Sequence, residues 1–145
     1  MNSFNLWRIW LFLTCLALTA FGLALALNIQ GGVFDFFMGR IDPLFWGAAG
    51  PPVGAVEFQR WIYGAWGATV AGWGLMMALL AWVPFGRREA WARNTLAVSV
   101  ALWFVVDTIH SIAHGVWINV ALDIVILVLL GLPVVMTWRR FGPQA

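Results

Sequence analysis

The sequence predicts an all-α integral membrane protein: a four-helix antiparallel bundle with a long outer loop containing short interfacial helices. Three observations carry that prediction. Of 145 residues, 63% are hydrophobic and only 10% are charged, against about 25% charged in soluble domains. Mean hydropathy is +0.88, and a soluble chain near this size still leaves about a third of its surface in water. Four segments reach the roughly 20 apolar residues that a spanning helix needs. The period-two alternation of a membrane β-barrel is absent. A chain this short makes a single domain, residues 1–145.

The first segment runs from about Trp7 to Leu27, with no charge after Arg8. Arg8, the apolar stretch and Ala24-Leu25-Ala26 superficially suit a secretory signal. Its apolar stretch is longer than the roughly 7–15 residues of such a signal, so it reads as a retained first helix. The second segment runs from about Trp61 to Val83, the third from Thr95 to Ala113, and the fourth from Val116 to Trp138. Pro133 interrupts the fourth. It lacks an N–H and frees the Leu129 carbonyl, so a kink is expected there.

Arginine placement sets the orientation. Arg8, Arg87, Arg88, Arg93, Arg139 and Arg140 fall on one side, while Arg40 and Arg60 fall on the other beside Asp35, Asp42 and Glu57. Both termini are therefore expected in the cytoplasm, with Arg8 preceding the first helix. Trp7, Trp10, Trp82, Trp91 and Trp138 then form a cytoplasmic belt, and Trp46, Trp61 and Trp117 mark the outer face.

The connections differ in kind. Pro84-Phe85-Gly86-Arg87-Arg88-Glu89 is a short basic turn, and Gly115 makes a tight hairpin. Asn28 to Gln59 is a long outer segment broken at Gly31-Gly32 and Pro51-Pro52. Phe34, Phe36, Phe37, Phe45 and Trp46 make it too apolar for a free loop. Asp42-Pro43 has the pattern of an N-cap followed by proline at the first helical position. A segment of this kind either packs on the membrane surface or covers a cavity at the bundle mouth.

In the second segment Gly64, Ala68 and Gly72 recur every four residues, and Gly67 and Ala71 repeat the pattern one position back. Small residues at this spacing let helix backbones approach closely in lipid, within one bundle or between copies. Trp66 and Trp73 stand among them, and together with Trp103 they are candidate cavity-lining residues.

One polar constellation interrupts the apolar segments. Asp107, His110, Ser111 and His114 share one helix face, and Asn119 and Asp123 are four apart on the next helix. Asp107 and Asp123 are each eight residues from Gly115, so both lie roughly 12 Å from the turn. Polar residues inside a bilayer usually face the bundle interior or a wet cavity. Two neighbouring carboxylates do not both stay ionised, so one binds a proton or a cation sits between them. The cluster has three readings: a structural hydrogen-bond network, a ligand or proton site, or a divalent-metal site at Asp107, His110 and His114 with Asp123 completing it. Asn119 has a further reading, as the cap of the fourth helix, which places Asp123 one turn inside it.

Composition excludes several chemistries. There is no lysine, which rules out covalent retinal or PLP. Cys15 is the lone cysteine, which rules out an internal disulfide and a CxxC relay. A net charge of +2, with arginines spread over ends and loops, gives no nucleic-acid footprint. Both histidines lie on one helix, which does not suit a bis-histidine haem within one chain. The GxSxG and HExxH motifs and a phosphate-binding glycine loop are absent.

Trp61-Ile62-Tyr63-Gly64 leading to Gly67-Ala68 and Ala71-Gly72-Trp73-Gly74, and Asp107-Thr108 followed by Ser111, Gly115-Val116, Asn119 and Asp123, cover the second to fourth helices. In these stretches the chain resembles small bacterial four-helix inner-membrane proteins of the DoxX-like group. The resemblance implies an antiparallel bundle and transfers no activity. The expected function is non-catalytic: binding a small hydrophobic ligand such as a lipid or quinone, or serving as an accessory subunit in a homo-oligomer or larger complex within the lipid bilayer. The alternatives are a proton- or cation-coupled transporter using Asp107, His110 and Asp123, and a metal-dependent membrane enzyme.

Overall fold

In the computed structural model, residues 2–27 and 33–141 are described, apart from the side chains of residues 33 and 34. Asn28, Gly31 and Gly32, and the Phe34 side chain, lie outside the described residues. The described residues form helices and no strands. In order these are α1 (Ser3–Ala26), α2 (Val33–Trp46) with a 3-10 turn at Gly47–Ala49, α3 (Val53–Trp82), α4 (Ala90–Ala113) and α5 (Trp117–Thr137), which ends in a 3-10 turn at Trp138–Arg140. Four of them, α1, α3, α4 and α5 with its terminal turn, are long and apolar enough to cross a membrane. The composition is that of an integral membrane protein.

Several helix starts lie earlier than the hydropathy pattern predicts. α1 begins at Ser3, where Asn2 caps it by accepting from the Asn5 N–H at 2.9 Å. Arg8 is therefore inside α1. α3 begins at Val53, with Pro52 at the N-cap in an extended conformation. The Pro51-Pro52 pair thus starts a helix, and α3 gains two turns before Trp61. α4 begins at Ala90, before Arg93 and Asn94. The reason is common to all three: hydropathy marks where a helix meets lipid, whereas the backbone hydrogen-bond ladder continues through polar residues such as Glu57, Arg60 and Arg93.

The Asp42-Pro43 expectation is also corrected. Pro43 lies inside α2 and starts no helix. The Asp42 carboxylate instead accepts from Gln59 Nε2 at 2.8 Å, tying α2 to the first turns of α3.

α1 and α3 make the closest pair. A Cβ on Gly22 would stand 2.4 Å from the Ala71 nitrogen, and one on Gly67 would stand 2.5 Å from the Ala26 nitrogen. A Cβ on Gly74 would meet Thr19 at 2.8 Å. Gly67, Ala71, Gly74, Ala78 and Ala81 are the buried small residues of α3. The small-residue seam therefore follows the Gly67–Ala71 register. Ala68 and Gly72 are exposed, Gly64 is half-buried, and nothing lies within 4 Å of a Cβ built on Gly72. Toward the other end of the seam, Phe12 packs on Trp82 and the Arg8 guanidinium lies over the same ring at 4.5 Å.

The turn after α3 is less polar than its sequence suggests. Phe85 is fully buried and packs against Phe4 and Phe141. A Cβ on Gly86 would come within 2.7 Å of the Trp82 carbonyl. At the other hairpin Gly115 has φ of 71°. The Gly115 N–H donates to Ile112 and the Val116 N–H to Ser111, the paired bonds of a Schellman helix end.

α5 packs on α1, and among the described residues one long-range side-chain hydrogen bond links them. Pro133 sits inside α5 and leaves the Leu129 carbonyl without its helical donor. Trp10 Nε1 donates to that carbonyl at 3.0 Å. Thr137 Oγ1 donates to the Pro133 carbonyl one turn later, at 2.7 Å. α4 and α5 pack together along their hairpin, whereas α3 and α4 meet only sparsely.

Two outcomes follow. Gly22→Ala or Gly67→Ala is expected to lower stability by about 1–3 kcal/mol through overpacking, while Gly72→Ala is neutral. Thermal unfolding in mild detergent reads the difference. Trp10→Phe is expected to cost about 1 kcal/mol in the native chain and clearly less in a Pro133→Ala background, where Leu129 regains a helical donor. A double-mutant cycle reads that coupling.

Candidate functional site

The hairpin between α4 and α5 assembles the polar residues because both helices leave Gly115 with carboxylates at matching depth. Asn119 is the hub. Its Nδ2 lies 2.8 Å from Ser111 Oγ, 3.2 Å from Asp107 Oδ2 and 3.5 Å from Asp123 Oδ1. Thr108 Oγ1 donates to Asp123 Oδ2 at 3.1 Å. Asp123 is 1% exposed and Ser111 is buried, while Asp107, Thr108 and Asn119 are half-buried. Thr108 was absent from the expected set. Its only sequence signal is its depth, which matches that of Asp123 across the hairpin.

Asn119 is not the helix cap. The N-cap of α5 is Val116, with no side-chain capping bond, and the Asn119 amide points into the cluster. Asp123 accordingly stands nearly two turns inside α5.

The histidines separate from the network. His110 and His114 are exposed and their rings pack at 4.4 Å. His114 Nδ1 lies 2.9 Å from the His110 carbonyl, a contact it makes as an N–H donor. Asp107, His110 and His114 therefore do not form the expected metal set. Among the described residues no three His, Cys, Asp or Glu side chains are grouped to hold a metal ion.

The network borders a cavity of about 420 Å³. Phe21 and Leu25 of α1, Tyr63 and Trp66 of α3, and Leu122 of α5 form its apolar walls. Phe37, Met38, Ile41 and Phe45 close one side, so α2 contributes a wall of the cavity. Asp107, His110, Ser111, His114 and Asn119 form the polar side. Most of the lining is apolar with a few convergent polar groups, the usual make-up of a small-molecule pocket.

Two further spaces share residues with it. A chamber of about 170 Å³ lies between Leu18, Trp66, Trp73, Trp103 and the two carboxylates. A groove between α3 and α4 is lined by Trp66, Trp73, Ser99, Trp103, Asp107 and His110. Trp73 and Trp103 pack at 5.7 Å, and Trp73 Nε1 donates to Ser99 Oγ at 3.1 Å. The three tryptophans expected at a cavity thus line these spaces. Trp66 and Asp107 border all three, so they form the junction between the cavity and the side of the bundle.

No protein-family model, curated protein or solved structure matches the chain.

Removing the hub tests the network. Asn119→Ala leaves Asp107, Ser111 and Asp123 without their shared donor and is expected to cost about 1–3 kcal/mol. Thr108→Val removes one bond and costs less. Unfolding in nanodiscs, followed by circular dichroism, ranks the two.

Proposed function

We propose that this chain is a non-catalytic, four-span membrane protein that binds a small hydrophobic ligand, a lipid or quinone, in the cavity beneath α2. The observation that carries the reading is the cavity of about 420 Å³, walled by all five helices and polar on one side only. Its volume lies within the roughly 300–1,000 Å³ of small-molecule sites. The groove between α3 and α4 supports access from the hydrocarbon of the bilayer.

The bundle is read as antiparallel, in a bacterial inner membrane, with both termini cytoplasmic. Contacts that pair Gly22 with Gly67 and Ala71, and Arg8 with Trp82, support opposed directions for α1 and α3. Arg87, Arg88, Arg93, Arg139 and Arg140 gather at one end, as the positive-inside rule requires of the cytoplasmic side. α2 then lies at the outer face and acts as a lid. α3 has 30 residues and is about 45 Å long, so its first turns extend past the hydrocarbon to meet α2. We keep the DoxX-like resemblance of the second to fourth helices as part of this proposal.

A second reading is proton- or cation-coupled transport. The Asp107–Asn119–Asp123 connection favours it, because it links two carboxylates on different helices. Ordinary flux by Asp107→Asn in vesicles would end that reading.

Native mass spectrometry from nanodiscs tests the binding proposal. The native chain is expected to retain one lipid or quinone adduct. Leu122→Trp fills the cavity wall and is expected to lose the adduct while keeping its helical spectrum. Retention of the adduct by this variant, or an adduct-free native chain across a lipid and quinone panel, would overturn the proposal.

A further inference from the structure

The polar side of the cavity has a surplus of acceptors. Asn119 offers two amide hydrogens to three acceptors, and Thr108 gives its one hydroxyl hydrogen to Asp123. Against these donors stand two carboxylates, each with about four lone-pair positions. Asp107 accepts from Asn119 through Oδ2 and lies within hydrogen-bond reach of the Asp123 carboxyl group. No arginine balances the charge. The two ion pairs among the described residues are Arg60–Glu57 and Arg87–Glu89, both away from the cluster. The remaining lining mixes aliphatic side chains with five aromatic rings, those of Phe21, Phe37, Phe45, Tyr63 and Trp66. Aromatic faces attract a cation, most strongly where it is desolvated.

We infer that the cavity selects a lipophilic amine, its ammonium group donating to Asp107 and its hydrocarbon body lying against Trp66 and the phenylalanines. The inference rests on the cavity-binding reading above and names the class of ligand. An ammonium supplies hydrogens and a positive charge to Asp107, which has no arginine paired with it among the described residues. An alcohol of the same length supplies one hydrogen and no charge, and a fatty carboxylate meets Asp107 with like charge. Access from the bilayer suits such a molecule, because its body partitions into lipid and Asp107 also borders the groove between α3 and α4.

The test compares dodecylamine, dodecanol and dodecanoate, added at equal concentration to the full chain in neutral dodecylmaltoside micelles at pH 8. At that pH an alkylamine, like a lysine near pKa 10.4, is charged. Native mass spectrometry counts the adducts. Dodecylamine is expected to bind at least tenfold better than dodecanol, with no dodecanoate adduct. Asp107→Asn is expected to erase the amine's advantage over dodecanol, and Asp107→Glu to keep it. Equal binding of amine and alcohol to the native chain would overturn the inference and leave the cavity-binding reading standing. An amine advantage undiminished in folded Asp107→Asn would also overturn it. Failure of every probe, together with the absence of any lipid or quinone adduct, would remove the binding reading itself. If Asp107→Asn does not fold, the comparison of head groups on the native chain decides the matter alone.

Discussion

The close approach of α1 and α3 is the constraint on which the rest of the bundle depends. Lipid tails are as apolar as leucine, so helices in a bilayer gain little by hiding apolar side chains and must associate by tight packing. Gly22, Gly67 and Gly74 allow that packing, because no Cβ fits at those positions, and buried Ala71 adds only a methyl. The geometry has a consequence on the far side of α3. A helix drawn onto α1 turns its bulky residues the other way, and Trp66 and Trp73 point toward α4. There they act as spacers, and α3 and α4 meet only sparsely. The tight seam and the open groove are therefore two faces of one arrangement.

The second half of the bundle is held by satisfying exceptions in the backbone. In hydrocarbon every unpaired carbonyl is costly. Pro133 creates one at Leu129, and the Trp10 indole meets it from α1. At the end of α5, Arg93 Nη1 donates to the Trp138 carbonyl at 3.0 Å and its guanidinium lies 4.0 Å over the Trp138 ring. Cations suit a helix C-terminus, where the carbonyls concentrate negative partial charge. Arg8 and Arg88 stack on Trp82 and Phe4 in the same end of the molecule. The arginines that mark topology in the sequence thus also pack that end, with Phe85 and Phe141 buried among them.

Hydropathy made the four spans legible, because length and apolarity are all that crossing a membrane demands. It misplaced the starts of three of them by four to eight residues, since helical hydrogen bonding ignores the polarity that the pattern reads. The small-residue seam was visible only as two overlapping registers. Choosing Gly67–Ala71 over Ala68–Gly72 requires knowing that Gly22 faces it. The polar cluster was legible where one turn fixes two depths, as with Asp107 and Asp123 on either side of Gly115. It was illegible where a residue without charge, Thr108, completes the network. The histidines mark the opposite failure: helical spacing put them on a face with Asp107, yet their rings stay exposed while Ser111 turns inward.

The structural and ligand-binding readings of the cluster are not alternatives. Asn119 is what allows Asp123 to be buried beside Asp107, since one amide bridges both carboxylates and Ser111. Yet an amide has two hydrogens, and the third contact, at 3.5 Å, is long for a hydrogen bond. The same hub that stabilises the hairpin therefore leaves carboxylate oxygens short of donors. Of the two carboxylates, Asp107 borders the cavity that residues of α1, α2 and α3 help to line. The cavity-facing residues of α1 and α3 are Phe21, Leu25, Tyr63 and Trp66, whose polar atoms are one phenol and one indole N–H. A network that is complete enough to fold and incomplete toward its cavity is the condition under which a bound molecule gains the most from entering.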